Sequence, residues 1–251
     1  MMEPLLWQIP LLVGIGVIAG TLNVLAGGGS LLTLPILIFL GLPSSVANGT
    51  NRIAIFFQNI FAIRSFRRHG HFPIKIALIC TAPALIGSYI GASLAITVDD
   101  ALFNKILALI MIGVMILTAL DPARNYAAEE VKITPLRLAV LLVTFFGVGL
   151  YGGFVQAGVG FIIISGLLVH GLDLVKINAI KVIVIFAFTI IALGVFMAHG
   201  EIDYGLGIAL AVGNSIGGII GTRLAVRKGH TWIKKIVTVT VLIFALKLFF
   251  L

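Results

Sequence analysis

The chain has 251 residues, 60% of them hydrophobic and only 10% charged, with a mean hydropathy of +1.20. A soluble domain carries about 25% charged residues in its polar shell, so a cytosolic or secreted globule, a disordered chain and a fibre are excluded and the bilayer remains as solvent. The single Cys80 rules out an intramolecular disulfide framework and a cysteine-based metal site, and the formal charge of +8 reads as membrane topology rather than as affinity for nucleic acid.

Apolar runs occupy about 5–40, 45–63, 76–97, 102–120, 138–169, 179–198, 204–222 and 233–251. A spanning helix needs roughly 20 apolar residues. Met1 is followed by Glu3 with no basic stretch, so the N-terminus is expected to belong to the mature protein. The first run is too long for one helix and is broken by Gly27-Gly28-Gly29 beside Ser30 and Thr33. A hairpin of two half-helices of roughly 14–18 residues, with its tip inside the membrane, fits that length. Irregular backbone survives at that depth only when buried in protein or lining a cavity. A glycine loop opening into a helix offers free N–H groups and the positive end of the helix dipole. Gly28, Gly29 and Ser30, with Thr33 nearby, are therefore candidate anion ligands, a reading favoured here over mere close packing. A bulky side chain at Gly29 is expected to abolish transport while leaving folding intact.

The second run opens on Asn48-Gly49-Thr50-Asn51-Arg52. Asn48 either caps its helix or joins the site. Arg52 either snorkels to the interface or lines an anion's path. His69-Gly70 then closes the segment as a helix C-cap. Gly87 and Gly91, four apart in a plain span, read as packing. A basic link over 122–135 leads to the long run 138–169, broken around Gln156, Gly158 and Gly160, which makes a second expected tip. Asn178 and Lys181 follow it with the same alternatives as Asn48 and Arg52. His199-Gly200 is a second C-cap, and Gly217 and Gly221 again read as packing.

A shift of 130 positions aligns the chain with itself. It places His69-Gly70 on His199-Gly200, Gly41-Leu42 on Gly171-Leu172, Asn48 on Asn178, Asn51 on Lys181, and Gly87 and Gly91 on Gly217 and Gly221. Duplicated halves are a common transporter plan. Eight simple spans leave the 17 bases unbiased between the two sides. Two broken hairpins give ten segments and put every base except Arg52, Lys105 and Lys247 inside, as cytoplasmic loops require. The expected fold is thus all-α and polytopic, with two inverted repeats, each a glycine-broken hairpin plus three transmembrane helices. The first repeat would cover 1–121, a cytoplasmic linker 122–135 and the second repeat 136–251, with both termini outside.

No His/Cys/Asp/Glu set has metal-ligand spacing, and no GxSxG, HExxH or P-loop occurs, so neither an enzyme nor a cofactor is expected. No acid or histidine lies in the middle of a run, so obligatory proton coupling through a buried carboxylate is not expected either. Ala26-Gly-Gly-Gly-Ser30, Pro35, Gly41-Leu-Pro43, Ala47-Asn-Gly-Thr50 and His69-Gly70 together resemble the first-half signature of the TauE/SafE sulfite exporter family. Gly153 to Gly160, Gly171-Leu172 and Asn178 resemble its weaker second half, with Asp173 in the place that Pro43 occupies in the first. The resemblance implies a permease for small sulfur-containing anions in the cell (inner) membrane. An anion channel and a permease for a non-sulfur carboxylate are the alternatives. The expected partners are a small anionic substrate, the lipid bilayer and a second copy of the chain, and not nucleic acid.

Overall fold

A computed structural model describes residues 7–119, 134–168 and 171–249; most of the expected linker lies outside them. Its elements are α1 (Gln8–Leu25), α2 (Ser30–Phe39), α3 (Ser44–Arg68), α4 (Ile74–Ala95), α5 (Asp100–Ala119), α6 (Pro135–Phe154), α7 (Val159–Leu168), α8 (Leu174–Ala198) and α9 (Tyr204–Phe249). Among the described residues there is no strand. Five helices, namely α1, α4, α6, α8 and the stretch Tyr204–Lys228 of α9, are long and apolar enough to cross a membrane. The protein is an all-helical polytopic membrane protein.

Both long runs break where the glycines stand, after Leu25 and after Phe154. The limbs are unequal, however, where similar half-helices were expected. The entering limbs have 18 and 20 residues and the returning limbs 10 each, about 27–30 Å against about 15 Å. Gly41 and Gly171, at φ +95° and +76°, end the short limbs. Gly41 N–H donates to Ile38 O and Leu42 N–H to Leu37 O, the double bond of a left-handed glycine cap.

Several local features recur 130 positions apart in the coordinates. α3 and α8 have 25 residues each and start 130 positions apart. Both end in a histidine whose Nδ1 lies 2.7 or 2.8 Å from the carbonyl one turn back, followed by a positive-φ glycine. His71 N–H then donates to Phe66 O and Glu201 N–H to Phe196 O, again 130 apart.

One expected turn is absent. Residues 204–222 and 233–251 were expected as two spans, but α9 runs unbroken from Tyr204 to Phe249. At the matching place in the first half, Asp99 accepts a bond from Leu102 N–H and starts α5. Its counterpart is Gly229, which has no side chain to cap a new helix, and no proline follows to stop the old one.

The halves interlock through backbone. Gly213, Gly217 and Gly221 of α9 face the carbonyls of Val13, Val17 and Thr21 of α1 in ascending order, so these helices run parallel. Gly87 and Gly91 of α4 face Phe146 O and Leu150 O of α6, while Gly149 and Gly153 of α6 face Ala84 O and Ser88 O of α4. In every case an added Cβ would overlap the opposing carbonyl, which makes these seams the small-residue packing expected of such spacings. α3 and α8 run antiparallel: Arg52 lies over Phe196, and Phe56 stacks on Phe186 with ring centroids 5.3 Å apart. Each hairpin is thus fastened to a continuous helix of the other half.

Candidate functional site

The two tips meet. A Cβ at Gly27 would overlap Gly160 Cα, and one at Gly160 would overlap Gly27 Cα, so the backbones touch. Ala26 and Leu31 share one buried cluster with Val155, Ala157 and Phe161. Residues 23–31 and 155–161 are all buried, so both tips are sealed in this conformation. Gly27 at φ +86° and Gly158 at φ +72° turn the chain between limbs. Gln156 does the same at φ +61°, a left-handed conformation costing a side-chain-bearing residue roughly 1–2 kcal/mol. The turn stabilises itself where Tyr151 Oη–H donates to Ala157 O.

Helix α2 opens at Ser30 and α7 at Val159, and their first internal bonds are Leu31 N–H to Gly28 O and Phe161 N–H to Gly158 O. The amides just before these, at Gly28, Gly29 and Ser30 and at Gly160, sit at the positive ends of two helices. Gly28 borders the Phe161 ring, whose edge an added Cβ would meet. Gly29 differs from expectation. Its Cβ direction is filled by Ala19 O and by Asn23 Cβ of α1, so a leucine there forces the hairpin apart instead of leaving the fold intact.

Helix α3 supplies a polar stripe at one-turn spacing: Asn48, Asn51 and Arg52, then Asn59, all buried. Arg52 is 0% exposed. It donates to Gly152 O at 3.1 Å, Gln156 Oε1 at 3.3 Å, Asn48 Oδ1 at 3.4 Å and Gly153 O, with the Phe196 ring centroid 4.7 Å away. Gly152 and Gly153 belong to the last turn of α6, where carbonyls lack intrahelical partners and the dipole is negative. Lys181 is also 0% exposed. Its Nζ donates to Val24 O at 2.8 Å and Asn178 Oδ1 at 2.7 Å, at the last turn of α1. Neither cation reaches the interface, so the snorkelling alternative falls. Each caps the broken helix of the opposite half. Among the described residues the one ion pair is Lys176–Asp173, so no carboxylate neutralises either of them.

The asparagines act the same way. Asn48 Nδ2 donates to Phe154 O at 2.7 Å and Asn178 Nδ2 to Leu25 O at 3.5 Å, each across to the other half. The helix-capping alternative for them fails, because α3 starts at Ser44, whose N–H donates to Asp100 Oδ1, and α8 is capped by Asp173. Thr33 Oγ1 donates to Asn51 Oδ1 at 2.7 Å, leaving Asn51 Nδ2 without a partner. Thr50 goes elsewhere: its hydroxyl accepts from Asp203 N–H at the start of α9, so the structure does not bring it to the tips.

Several members of the cluster were not singled out from the sequence. Thr189 Oγ1 accepts from the expected Gln156 Nε2 at 2.8 Å, and Asn23 Nδ2 donates to Gln58 Oε1 at 3.2 Å. Both polar atoms of the Asn59 side chain are buried without a partner, as is Arg52 Nε. Extending the stripe 48–52 by one and two further turns would have found Asn59. No described His/Cys/Asp/Glu group could hold a metal ion.

A cluster of helix N-termini and buried cations with no acid among them is suited to holding an anion. Comparison with known proteins agrees with a transporter. Residues 12–248 match the family profile described as sulfite exporter TauE/SafE. A Sinorhizobium protein named probable membrane transporter protein ORF9 is 28% identical over 232 residues, 92% of this chain and 88% of its own. A probable membrane transporter protein of Haemophilus influenzae is 25% identical over 226 residues, 90% of this chain and 88% of its own. Probable membrane transporter protein YfcA of Escherichia coli is 26% identical over 246 residues, 96% of this chain and 91% of its own. No solved structure matches the chain.

Proposed function

This chain belongs to the sulfite exporter TauE/SafE family of membrane transporters, and we propose that it is a cell-membrane permease for small sulfur-containing anions such as sulfite or sulfonates. The anion would sit at the mid-plane between the amides of Gly28, Gly29 and Ser30 and those of the second tip. Arg52 and Lys181, with Asn48, Asn51, Gln156 and Asn178, set the field around it. The observation that carries this reading is the contact of the two tips, Gly27 against Gly160, beside two buried cations that no carboxylate balances.

Inverted halves support a carrier rather than a channel, because two equivalent arrangements of one fold give alternating access. The antiparallel run of α3 against α8 and the sealed tips support that plan. The direct test is flux of sulfite, a sulfonate and a carboxylate of similar size into liposomes. Saturable flux of the sulfur anions, at least tenfold above the carboxylate, is expected. Non-saturating current would make it a channel, and equal carboxylate flux would remove the sulfur assignment.

Topology has its own test. Cysteines at Asp100 and Tyr204 should label from outside and cysteines at Arg67 and Lys228 should not. Tyr204 is 46% exposed, whereas Ile202 is buried and unsuited to labelling. Native Cys80 is buried and adds no background. Outside labelling at position 67 would overturn the inverted arrangement.

Energy coupling follows from where the acids sit. Asp99, Asp100, Asp173, Glu201 and Asp203 all lie at helix starts or in links, none mid-span. The membrane potential, worth about 2.3 kcal/mol per charge per 100 mV, then drives anion efflux from an inside-negative cell. Flux set by voltage and unchanged by a pH gradient at constant substrate ionisation is the expected result. Uphill accumulation driven by pH alone, lost on neutralising one acid, contradicts it.

A further inference from the structure

We propose that the cleft between the end of α3 and the middle of α9 binds the phosphate headgroup of an anionic phospholipid. The two helices run parallel, Gly207 beside Thr50 and Gly218 beside Gln58, so that α3 ends beside Arg223 and Arg227 of α9. Arg64, Arg68 and His69 of α3 stand opposite Arg223 and Arg227 of α9 around two adjoining cavities of about 300 and 290 Å³. No acidic side chain lines either cavity. The one ion pair among the described residues is elsewhere, at Asp173. Among the described residues four arginines thus face one another with no acid to compensate them, which costs Coulomb repulsion unless an anion lies between them. Guanidinium forks match phosphate oxygens two at a time.

The walls below the arginines say which kind of phosphate fits. On α3 the same face carries Phe57, Ile60 and Phe61 before it reaches Arg64 and Arg68. On α9, Ile216 and Ile220 precede Arg223 and Arg227 at the same spacing. These five apolar side chains are 36–45% exposed, and Phe61 and Ile219 line the cavity itself. A cationic cavity with Phe61 and Ile219 in its wall, continued along both helices by exposed apolar side chains, matches acyl chains joined to a phosphate. A free inorganic anion has no use for the apolar part. Basic pockets between transmembrane helices on the cytoplasmic side recognise lipid headgroups in this way.

The test is lipid retention by the full-length protein in neutral detergent, read by native mass spectrometry against phosphatidylglycerol, phosphatidylcholine and inorganic phosphate. Phosphatidylglycerol should bind and phosphatidylcholine should not. Each arginine near the headgroup is worth about fivefold, so Arg64→Gln/Arg223→Gln should weaken binding about thirtyfold. The Arg137→Gln control, on α6 far from the cleft, should bind as the unaltered protein does. Unfolding temperature in phosphatidylcholine alone checks that the pair folds, and Arg68→Gln/Arg227→Gln serves if it does not. Undiminished phosphatidylglycerol binding by the double variant overturns the proposal. So does equal retention of phosphatidylcholine, or displacement of phosphatidylglycerol by millimolar inorganic phosphate.

Discussion

Helices α3 and α8 are the same piece of architecture used twice. They have 25 residues each, lie 130 positions apart and end in the same histidine–glycine cap. Their interiors are not the same. α8 is apolar enough to count as a span on composition alone, whereas α3 is not. The polar groups α8 buries, Asn178, Lys181 and Thr189, are few beside Asn48, Thr50, Asn51, Arg52, Gln58 and Asn59 of α3. The two helices share a scaffold, and polarity is distributed unevenly over it. A buried polar group is costly unless bonded, so the half that retains more of them is the half where chemistry constrains the sequence more tightly.

The largest effect expected from that difference is at the two cations. Arg52→Ala leaves four acceptors without their donor, and Lys181→Ala leaves two. Losses of about 3–5 and about 2–3 kcal/mol respectively are expected, read as thermal unfolding in detergent, with transport lost in both. Equal losses would show that the halves are equivalent after all. Arg52→Lys tests the fork: a single ammonium cannot span both α6 carbonyls and Gln156, so recovery should be partial.

Next in size is the contrast between neighbouring glycines. Gly27→Ala meets the backbone of the other tip and must hold φ +86°, for a cost of about 2–4 kcal/mol. Gly28→Ala meets only the edge of the Phe161 ring, which can shift, so about 1 kcal/mol or less is expected. A Gly28 variant that folds yet carries no anion would put the substrate beside that amide. Normal flux would place it elsewhere.

The smallest effect concerns Asn59 and its counterpart Thr189. Thr189 is bonded by Gln156, while the amide of Asn59 has no partner. Asn59→Thr should therefore stabilise the empty protein by about 1 kcal/mol through removal of unmet polar groups. A gain in stability joined to a several-fold loss of transport would mean that this amide touches substrate. A loss of stability would mean that an ordered water already satisfies it.

The hairpins could be read from the chain because three successive glycines in an over-long apolar run leave little else to build. The repeat was readable from rare pairs such as His69-Gly70 and His199-Gly200. The fate of Arg52 and Lys181 was not. A cation near the start of a span has the same local sequence whether it snorkels or turns inward, and only the opposing α6 and α1 ends, more than 90 residues away, decide. The tolerance of the fold for a bulky side chain at Gly29 was not legible for a related reason. A glycine that frees space for a ligand and one that admits a neighbouring backbone look alike until the neighbour is known. The unbroken α9 was hidden because basic residues and Gly229 mark a membrane exit, yet Arg223 to Lys235 contains no proline to force the helix to stop.

The glycine seam between α1 and α9 also sets a clock on synthesis. Gly16 and Gly213, which lie in one contact, are separated by roughly 200 residues of chain. At about 5–20 residues per second, some 10–40 s pass between the emergence of α1 from the ribosome and that of its partner. Through that interval Gly16 and Gly20 face lipid, with Val13 O, Val17 O and Thr21 O uncovered by the helix that will sit against them. The first hairpin therefore waits in the bilayer half-assembled. A nascent chain arrested before residue 204 should expose α1 to cross-linking by lipid-borne probes, and release of the arrest should remove it.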